Sequence, residues 1–322
     1  MRHIFLFTTI FILFSTFTAE NTSAAPLGWE NDETEFSLLP NQPMFSTDVD
    51  IFLGQKKRRG GGRVWGNLYY GDTTLKPIEG YKIKPNFYGF QLGLEIPNGH
   101  GVRSVLFFNL NESKTDFADA NSKIDNYLLG YGKLIFRGMC HFAFVGNIAY
   151  DKYEVSAARR TATGDGLQTN LFGEFGLDFM LGQWGIKPFY ALQYDFLYHG
   201  NIGERSTVLV SDWNGHGLQQ LVGTRLIWNA TSMLELQGRA VWVHEMLDNP
   251  PPFYHARFSP GEGTRTPAMM FFNGDTGRDW AWLGIGAKLK GILSGYLYCD
   301  YDVLFNKRHV THLGSLGICL GW

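Results

Sequence analysis

The last thirteen residues, Val310 to Trp322, alternate almost without interruption. Trp322, Leu320, Ile318, Leu316 and Gly314 fall on one face, while Gly321, Cys319, Gly317, Ser315 and Leu313 fall on the other. A period of two marks a β-strand, because successive side chains leave opposite sides of the pleat. One face is large and apolar, the other small or weakly polar, and an aromatic ring closes the run. Soluble domains usually let their final residues fray. A strand that is greasy on one face and aromatic at its end suits the closing seam of a β-barrel embedded in lipid.

The beginning of the chain fits export. Met1-Arg2-His3 is a short basic stretch, Ile4 to Phe17 is apolar apart from Thr and Ser, and Thr22-Ser23-Ala24 supplies small residues for cleavage. Residues 1–24 therefore read as a secretory signal peptide, too short to span a bilayer as a helix. Cleavage falls after Ala24 rather than Ala25, where Pro26 would follow the scissile bond with its missing N–H and restricted φ.

Glycine is abundant at 39 residues, aromatics make up 16% of the chain and charged residues only 18%. No apolar run long enough for a helical span follows the signal. Low charge with many aromatic rings would leave a soluble protein with sticky surfaces, but it matches a barrel belted by lipid. The formal charge of −2 argues against nucleic acid as a partner.

From Gly60 onward, alternating segments recur between Gly, Asn, Asp or Pro clusters. Twelve are predicted, at Arg63–Gly71, Phe87–Glu95, Val102–Ser113, Lys123–Phe136, Met139–Val155, Gly166–Leu181, Trp184–Tyr198, Gly217–Trp228, Ser232–Met246, Arg278–Lys290, Leu293–Asn306 and Val310–Trp322. Two or three residues join the fourth to the fifth, the sixth to the seventh and the tenth to the eleventh. Longer loops are expected after the first, third, fifth, seventh and ninth. Short turns on one rim and long loops on the other is the outer-membrane pattern, with the turns periplasmic. The expected fold is an all-β, twelve-stranded antiparallel transmembrane β-barrel. Tyr254–Phe258 and Ala268–Phe272 could form a hairpin inside the longest loop, Leu247–Gly277, but both are too short to cross a membrane, so twelve strands are preferred to fourteen.

Alternation also sorts the charges. Glu174, Lys187, Asp195, Glu235, Arg239 and Glu245 share phase with the polar face and are expected to line the lumen. There they either set ion selectivity or simply stabilise a narrow barrel. Cys299 falls in the lipid phase and Cys319 in the lumen phase, so no bridge is expected between them, and Cys140 leaves three free thiols. Catalytic, cofactor and metal sites are not expected. The histidines lack a His-Glu-x-x-His spacing, and no Gly-x-Ser-x-Gly occurs. Gly99-His100-Gly101, Gly164-Asp165-Gly166 and Gly215-His216-Gly217 read as turns.

A succession of these segments resembles the translocator (β-barrel) domain of classical autotransporters, type Va secretion. The resemblance rests on Val64-Trp65-Gly66-Asn67, Tyr88 to Glu95, Ile124 to Gly132, Lys187-Pro188-Phe189 with Leu192-Gln193-Tyr194, Trp242-Val243-His244-Glu245, Gly277-Arg278-Asp279 with Leu283 to Gly286, Tyr298 to Asp302, and the terminal strand. It implies a barrel from about residue 60 to Trp322 in the bacterial outer membrane, with a segment threaded through the pore to an exported passenger. It also implies that Leu316, Ile318, Leu320 and Trp322 form the signal read by the outer-membrane barrel assembly machinery. Outer-membrane lipid is the other expected partner, and the barrel is expected to be monomeric.

Residues 25–59 depart from that pattern, with none of the repeated short strands of a β-helical passenger. Lys56, Lys57, Arg58 and Arg59, followed by Gly60-Gly61-Gly62, are a candidate pore plug drawn to Glu174, Glu235 and Glu245. The alternative is a solvated basic patch below the barrel. Three roles follow: a translocator with a vestigial or absent passenger, a free-standing narrow channel, or a plugged barrel whose long loops bind an external ligand.

Overall fold

The computed structural model describes residues 62–75, 84–98, 101–117, 120–157, 160–200, 202–203, 208–210, 213–247, 254–258, 268–271, 278–292, 294–307 and 309–321. Trp322, the basic run Lys56 to Arg59 and the signal peptide lie outside these residues. Twelve long strands form the barrel. They are β1 (Arg63–Leu75), β2 (Lys84–Pro97), β3 (Val102–Phe117), β4 (Ala120–Arg137), β5 (Cys140–Ala157), β6 (Arg160–Leu177), β7 (Trp184–His199), β8 (Trp213–Asn229), β9 (Leu234–Glu245), β10 (Asp279–Ile292), β11 (Gly295–Phe305) and β12 (His309–Gly321). A three-residue strand, Phe179–Leu181, extends β6 beyond Asp178 and pairs with the start of β7.

Every strand pairs antiparallel with the next, and β12 returns to β1 in continuous register from Arg63↔Gly321 to Leu75↔His309. Closure matters because hydrocarbon offers backbone groups no hydrogen bonds, so a sheet that spans lipid cannot keep a free edge. No helix among the described residues is long and apolar enough to cross a membrane. The strands do the crossing.

The alternation sorts side chains as lipid requires. Leu68, Leu129, Tyr131, Ile285 and Leu316 are all more than half exposed, a poor arrangement in water and a favourable one in hydrocarbon. Aromatic rings gather at both ends of this band. Trp184 and Trp228 stack at 5.2 Å beside the short-turn rim. Tyr70, Tyr88, Tyr127, Tyr150 and Tyr301 stand exposed toward the long-loop rim. Gly138 and Gly182 hold φ of 62° and 63° in the two-residue turns, a region that lets a hairpin reverse tightly without a Cβ clash.

The lumen side is packed by pairing rings with glycines. Trp65 lies where a Cβ on Gly93 would stand, and Phe107 does the same over Gly130. Both rings are almost fully buried. Flat aromatic side chains can lie along the inner wall only because the facing residue has no side chain of its own.

The long-loop rim differs from expectation in one respect. Long loops after the third and fifth strands are replaced by ladder that continues well above the lipid band. β3 and β4 stay paired to Phe117↔Ala120, and β5 and β6 to Ala157↔Arg160. Outside lipid both faces of a strand meet water, so apolar alternation stops while pairing goes on. For the same reason Gly164-Asp165-Gly166 and Gly215-His216-Gly217 are not turns but parts of β6 and β8.

The outward apolar residues of β3 end at Leu110, and an ion-pair cluster begins just beyond. Glu112 pairs with Lys114 at 2.6 Å and Lys123 at 3.1 Å, and Lys123 also meets Asp125 at 3.0 Å. Burial works against ionisation of Glu112, but hydrogen bonds from Lys114, Tyr88 and Lys123 outweigh it and bring its pKa down to about 2. The hydrogen bond to Glu112 raises Lys114, and those to Asp125 and Glu112 raise Lys123.

The hairpin suspected in the longest loop exists, as Tyr254–Phe258 paired with Ala268–Phe271. Its first strand also pairs with Val208–Val210, which pairs with Ile202–Gly203. These short strands extend the sheet at the rim.

Candidate functional site

The inner wall holds the chemistry. Glu174, Lys187, Glu235 and Arg239 are buried on the face opposite Phe175, Ile186, Leu234 and Trp242, while Asp195 and Glu245 are partly exposed within the lumen. These six residues do not form one network. They sort into separate clusters, each completed by a residue that sequence reasoning had not singled out.

The first cluster spans β5 to β8. Arg225 on β8 reaches past β7 and holds Glu174 of β6 in a bidentate pair, Nη1 to Oε1 and Nη2 to Oε2, both 2.8 Å. His141 Nε2 lies 2.9 Å from the same Oε1, and its Nδ1 lies 3.5 Å from Asp178. Lys187 approaches Asp178 at 3.4 Å. The Arg225 guanidinium lies 3.8 Å over the Phe189 ring, which gives its planar cation an apolar bed.

A second cluster centres on Glu235, which Gln237 approaches at 2.6 Å, Lys288 at 3.6 Å and Lys290 from the rim. In a third, Arg239 Nε meets Asp302 at 2.9 Å and its Nη2 meets Asp300 at 3.3 Å, with Trp282 Nε1 donating to Asp302 at 2.9 Å. The first two clusters lie toward the short-turn rim, whereas the third sits higher, with Asp302 three residues below the end of β11 at Phe305. At the mouth on the short-turn side, Glu95 pairs with Arg103 and lies 3.9 Å from Arg63.

The half nearer the long loops is mostly neutral. Asn126 donates to Asp151 at 2.6 Å, Tyr153 donates to the same carboxylate at 3.2 Å, and the Tyr153 ring packs 4.0 Å from His199. Thr73 and Thr311 bond across the seam at 2.8 Å. Two further carboxylates, Asp195 and Glu245, lie together against Gly217 of β8.

Buried charges need partners, because desolvation of an unpaired ion costs several kcal/mol. Glu174 and Glu235 have theirs in the wall itself. Arg225, His141, Lys288 and Asp302 completed the pairs and were missed. A signal existed for two of them: Arg225 alternates with Leu226 and Trp228, and Lys288 precedes lipid-facing Leu289. The pairing across β7 carried no such signal.

On the terminal strand, Leu316 is exposed and Ile318 and Leu320 are partly exposed, while Gly317 and Cys319 on the opposite face are buried. Cys140, Cys299 and Cys319 are free thiols, with Cys299 outside and Cys319 inside. Among the described residues no three of His, Cys, Asp and Glu converge on a metal-binding geometry.

Comparisons with known proteins agree with this architecture. Residues 64–302 match the autotransporter beta-domain family. The translocator domain of the autotransporter NalP from Neisseria meningitidis superposes with a TM-score of 0.68 at 16% identity, covering 84% of this chain and 92% of that one. The beta domain of the Bordetella autotransporter BrkA gives 0.61 at 14%, covering 82% and 100%. The transport unit of AIDA-I from Escherichia coli gives 0.59 at 15%, covering 85% and 96%. No curated protein matches the sequence.

Proposed function

This chain belongs to the autotransporter β-domain family, and from that premise we propose that it is a translocator-type barrel of the bacterial outer membrane whose own passenger is vestigial or absent. Export by cleavage of residues 1–24 precedes membrane assembly in this reading. The composition of residues 25–59 supports it, since they hold no repeat of short strands from which a β-helical passenger is built. These residues act as a plug. The supporting observation is the direction of β1, which starts at the short-turn rim with Arg63, so the preceding chain joins the barrel on that side. Gly60-Gly61-Gly62 supplies the bend, and Lys56, Lys57, Arg58 and Arg59 are the first side chains to enter.

Planar-bilayer conductance tests the plug. The mature protein should pass little current, and a version lacking residues 25–61 should open a small, stable channel. Equal conductance from both would remove the plug from the reading. If neither conducts, the wall side chains seal the lumen themselves, and the role shifts to ligand binding by the long-loop rim.

The terminal strand is proposed as the signal for the barrel assembly machinery, with the finished barrel a monomer in outer-membrane lipid. Trp322→Asp should reduce accumulation in the outer membrane by about tenfold, far more than Ser315→Asp, because it removes the aromatic ring on which the proposed signal ends. Equal accumulation of the two variants, read from membrane fractions, would count against it.

A further inference from the structure

The lipid-facing side of the barrel carries charge at both rims, but in two different ways. Near the long loops, outward Lys114 and Lys123 each stand against a carboxylate. In the short-turn half no Asp or Glu among the described residues faces outward, yet two cations of β4 do, Lys133 and Arg137. Both are exposed, and neither has an ion pair or hydrogen bond within the described residues. Lys133 also stands among apolar neighbours. Phe144 of β5 lies directly opposite it, Tyr131 and Ile135 flank it along β4, and Phe144 and Tyr131 are more than half exposed. An ammonium at the edge of hydrocarbon needs a counter-charge, and its flexible stem lets it reach the headgroup layer to find one. Arg137 ends β4 at that layer. Four residues of strand span about 13 Å, a gap that two long side chains can close on a group between them.

A neutral hydrogen-bonding set borders the two cations. Ser104 of β3 lies directly across from Lys133. Its Oγ is 3.0 Å from the hydroxyl of Tyr131 and accepts from Nδ2 of Asn98. All three residues are polar groups on a face that is otherwise given to lipid. Two cations, two hydroxyls and an amide, with no carboxylate, match a phosphodiester esterified to glycerol. The cations take the phosphate oxygens through charge-assisted bonds, and the neutral groups take the headgroup hydroxyls. An ethanolamine headgroup fits worse, because its ammonium meets two like charges and no carboxylate.

We propose that Lys133 and Arg137, with Ser104 and Tyr131 beside them, form a site for one anionic glycerophospholipid of the phosphatidylglycerol class, in the leaflet on the short-turn side. The inference rests on the outer-membrane reading above, in which that leaflet is the periplasmic one. A lipid held there ties β3 and β4 to the headgroup layer and sets the depth of the hairpin that turns at Gly138.

Native mass spectrometry of the mature protein, folded in detergent and offered equal amounts of phosphatidylglycerol and phosphatidylethanolamine, tests the proposal. One phosphatidylglycerol per barrel should be retained, with a preference of about 25-fold, or about fivefold for each cation. Lys133→Gln and Arg137→Gln should each leave about a fivefold preference, and the double variant none. Lys133→Arg keeps the charge and should keep the preference. Lys114→Gln with Lys123→Gln, at the opposite rim, should leave it unchanged. Both cations of the site are exposed, so the double variant should retain the mobility shift of a folded barrel on unheated gels. A preference that survives the double variant, or is lost equally with the Lys114 and Lys123 changes, overturns the site. A folded, unaltered barrel that prefers neither lipid overturns it as well and leaves the membrane reading standing. A chain that folds in neither detergent nor vesicles removes that reading and the site together.

Discussion

Glu174→Gln is expected to lower the free energy of unfolding by about 3–5 kcal/mol, the largest effect of any conservative change in the lumen. The substitution keeps shape and removes charge. Arg225 then stays buried over Phe189, 6% exposed, without the Glu174 carboxylate that both its Nη atoms bond in the native wall. The cost comes less from the lost pair than from the cation left behind. The companion variant Glu174→Gln with Arg225→Met should therefore recover most of the loss, since removing both partners of a buried pair can be close to neutral. Urea titration of the barrel in lipid vesicles, followed by tryptophan fluorescence, reads both. A midpoint that does not move in the single variant would show that lumen water screens the pair and that it does not hold the wall.

Gly317→Ala is the second large effect, expected at about 2–3 kcal/mol from overpacking. A Cβ at Gly317 would stand 2.2 Å from the Tyr298 ring and 2.6 Å from the carbonyl oxygen of Gly66. Tyr298 is 2% exposed and has no free volume into which to swing, and Gly66 is backbone on the other side of the seam. Either a buried ring leaves the wall or β1 separates from β12. Gly314→Ala, on the lipid face of the same strand, provides the control. The nearest atom to its Cβ is 4.0 Å away, so it should assemble normally. Heat-modifiable gel mobility of membrane-extracted protein would distinguish them, and equal folded fractions would contradict the seam argument.

What could be read from sequence follows the solvent. Within the lipid band one face of each strand meets hydrocarbon and the other meets the polar lumen, so Leu167, Leu171 and Phe175 alternate visibly with Gln168, Asn170 and Glu174. The twelve strands and the phase of the six lumen charges came from that contrast. Above the band it vanishes. Lys114 to Phe117 and Ala120 to Ser122 pair as strands although their side chains carry no apolar alternation, and glycine-flanked Asp165 and His216 looked like turns. Pairing partners inside the lumen were hidden for another reason. Alternation assigns a side chain to a face, but the reach of Arg225 over β7 to Glu174 depends on shear between strands, which one strand's sequence does not carry.

The projecting hairpins have a consequence for measurement. Their amides belong to the same ladder as those within the bilayer, with no change in pairing between Leu110 and Phe117 as β3 rises out of the lipid. Deuterium uptake tracks the opening of hydrogen bonds rather than contact with lipid. A protection map of this protein would thus draw a cylinder taller than the membrane. Its upper margin would mark the tips at Phe117 and Ala157, while the waterline itself would leave no trace in the amide signal.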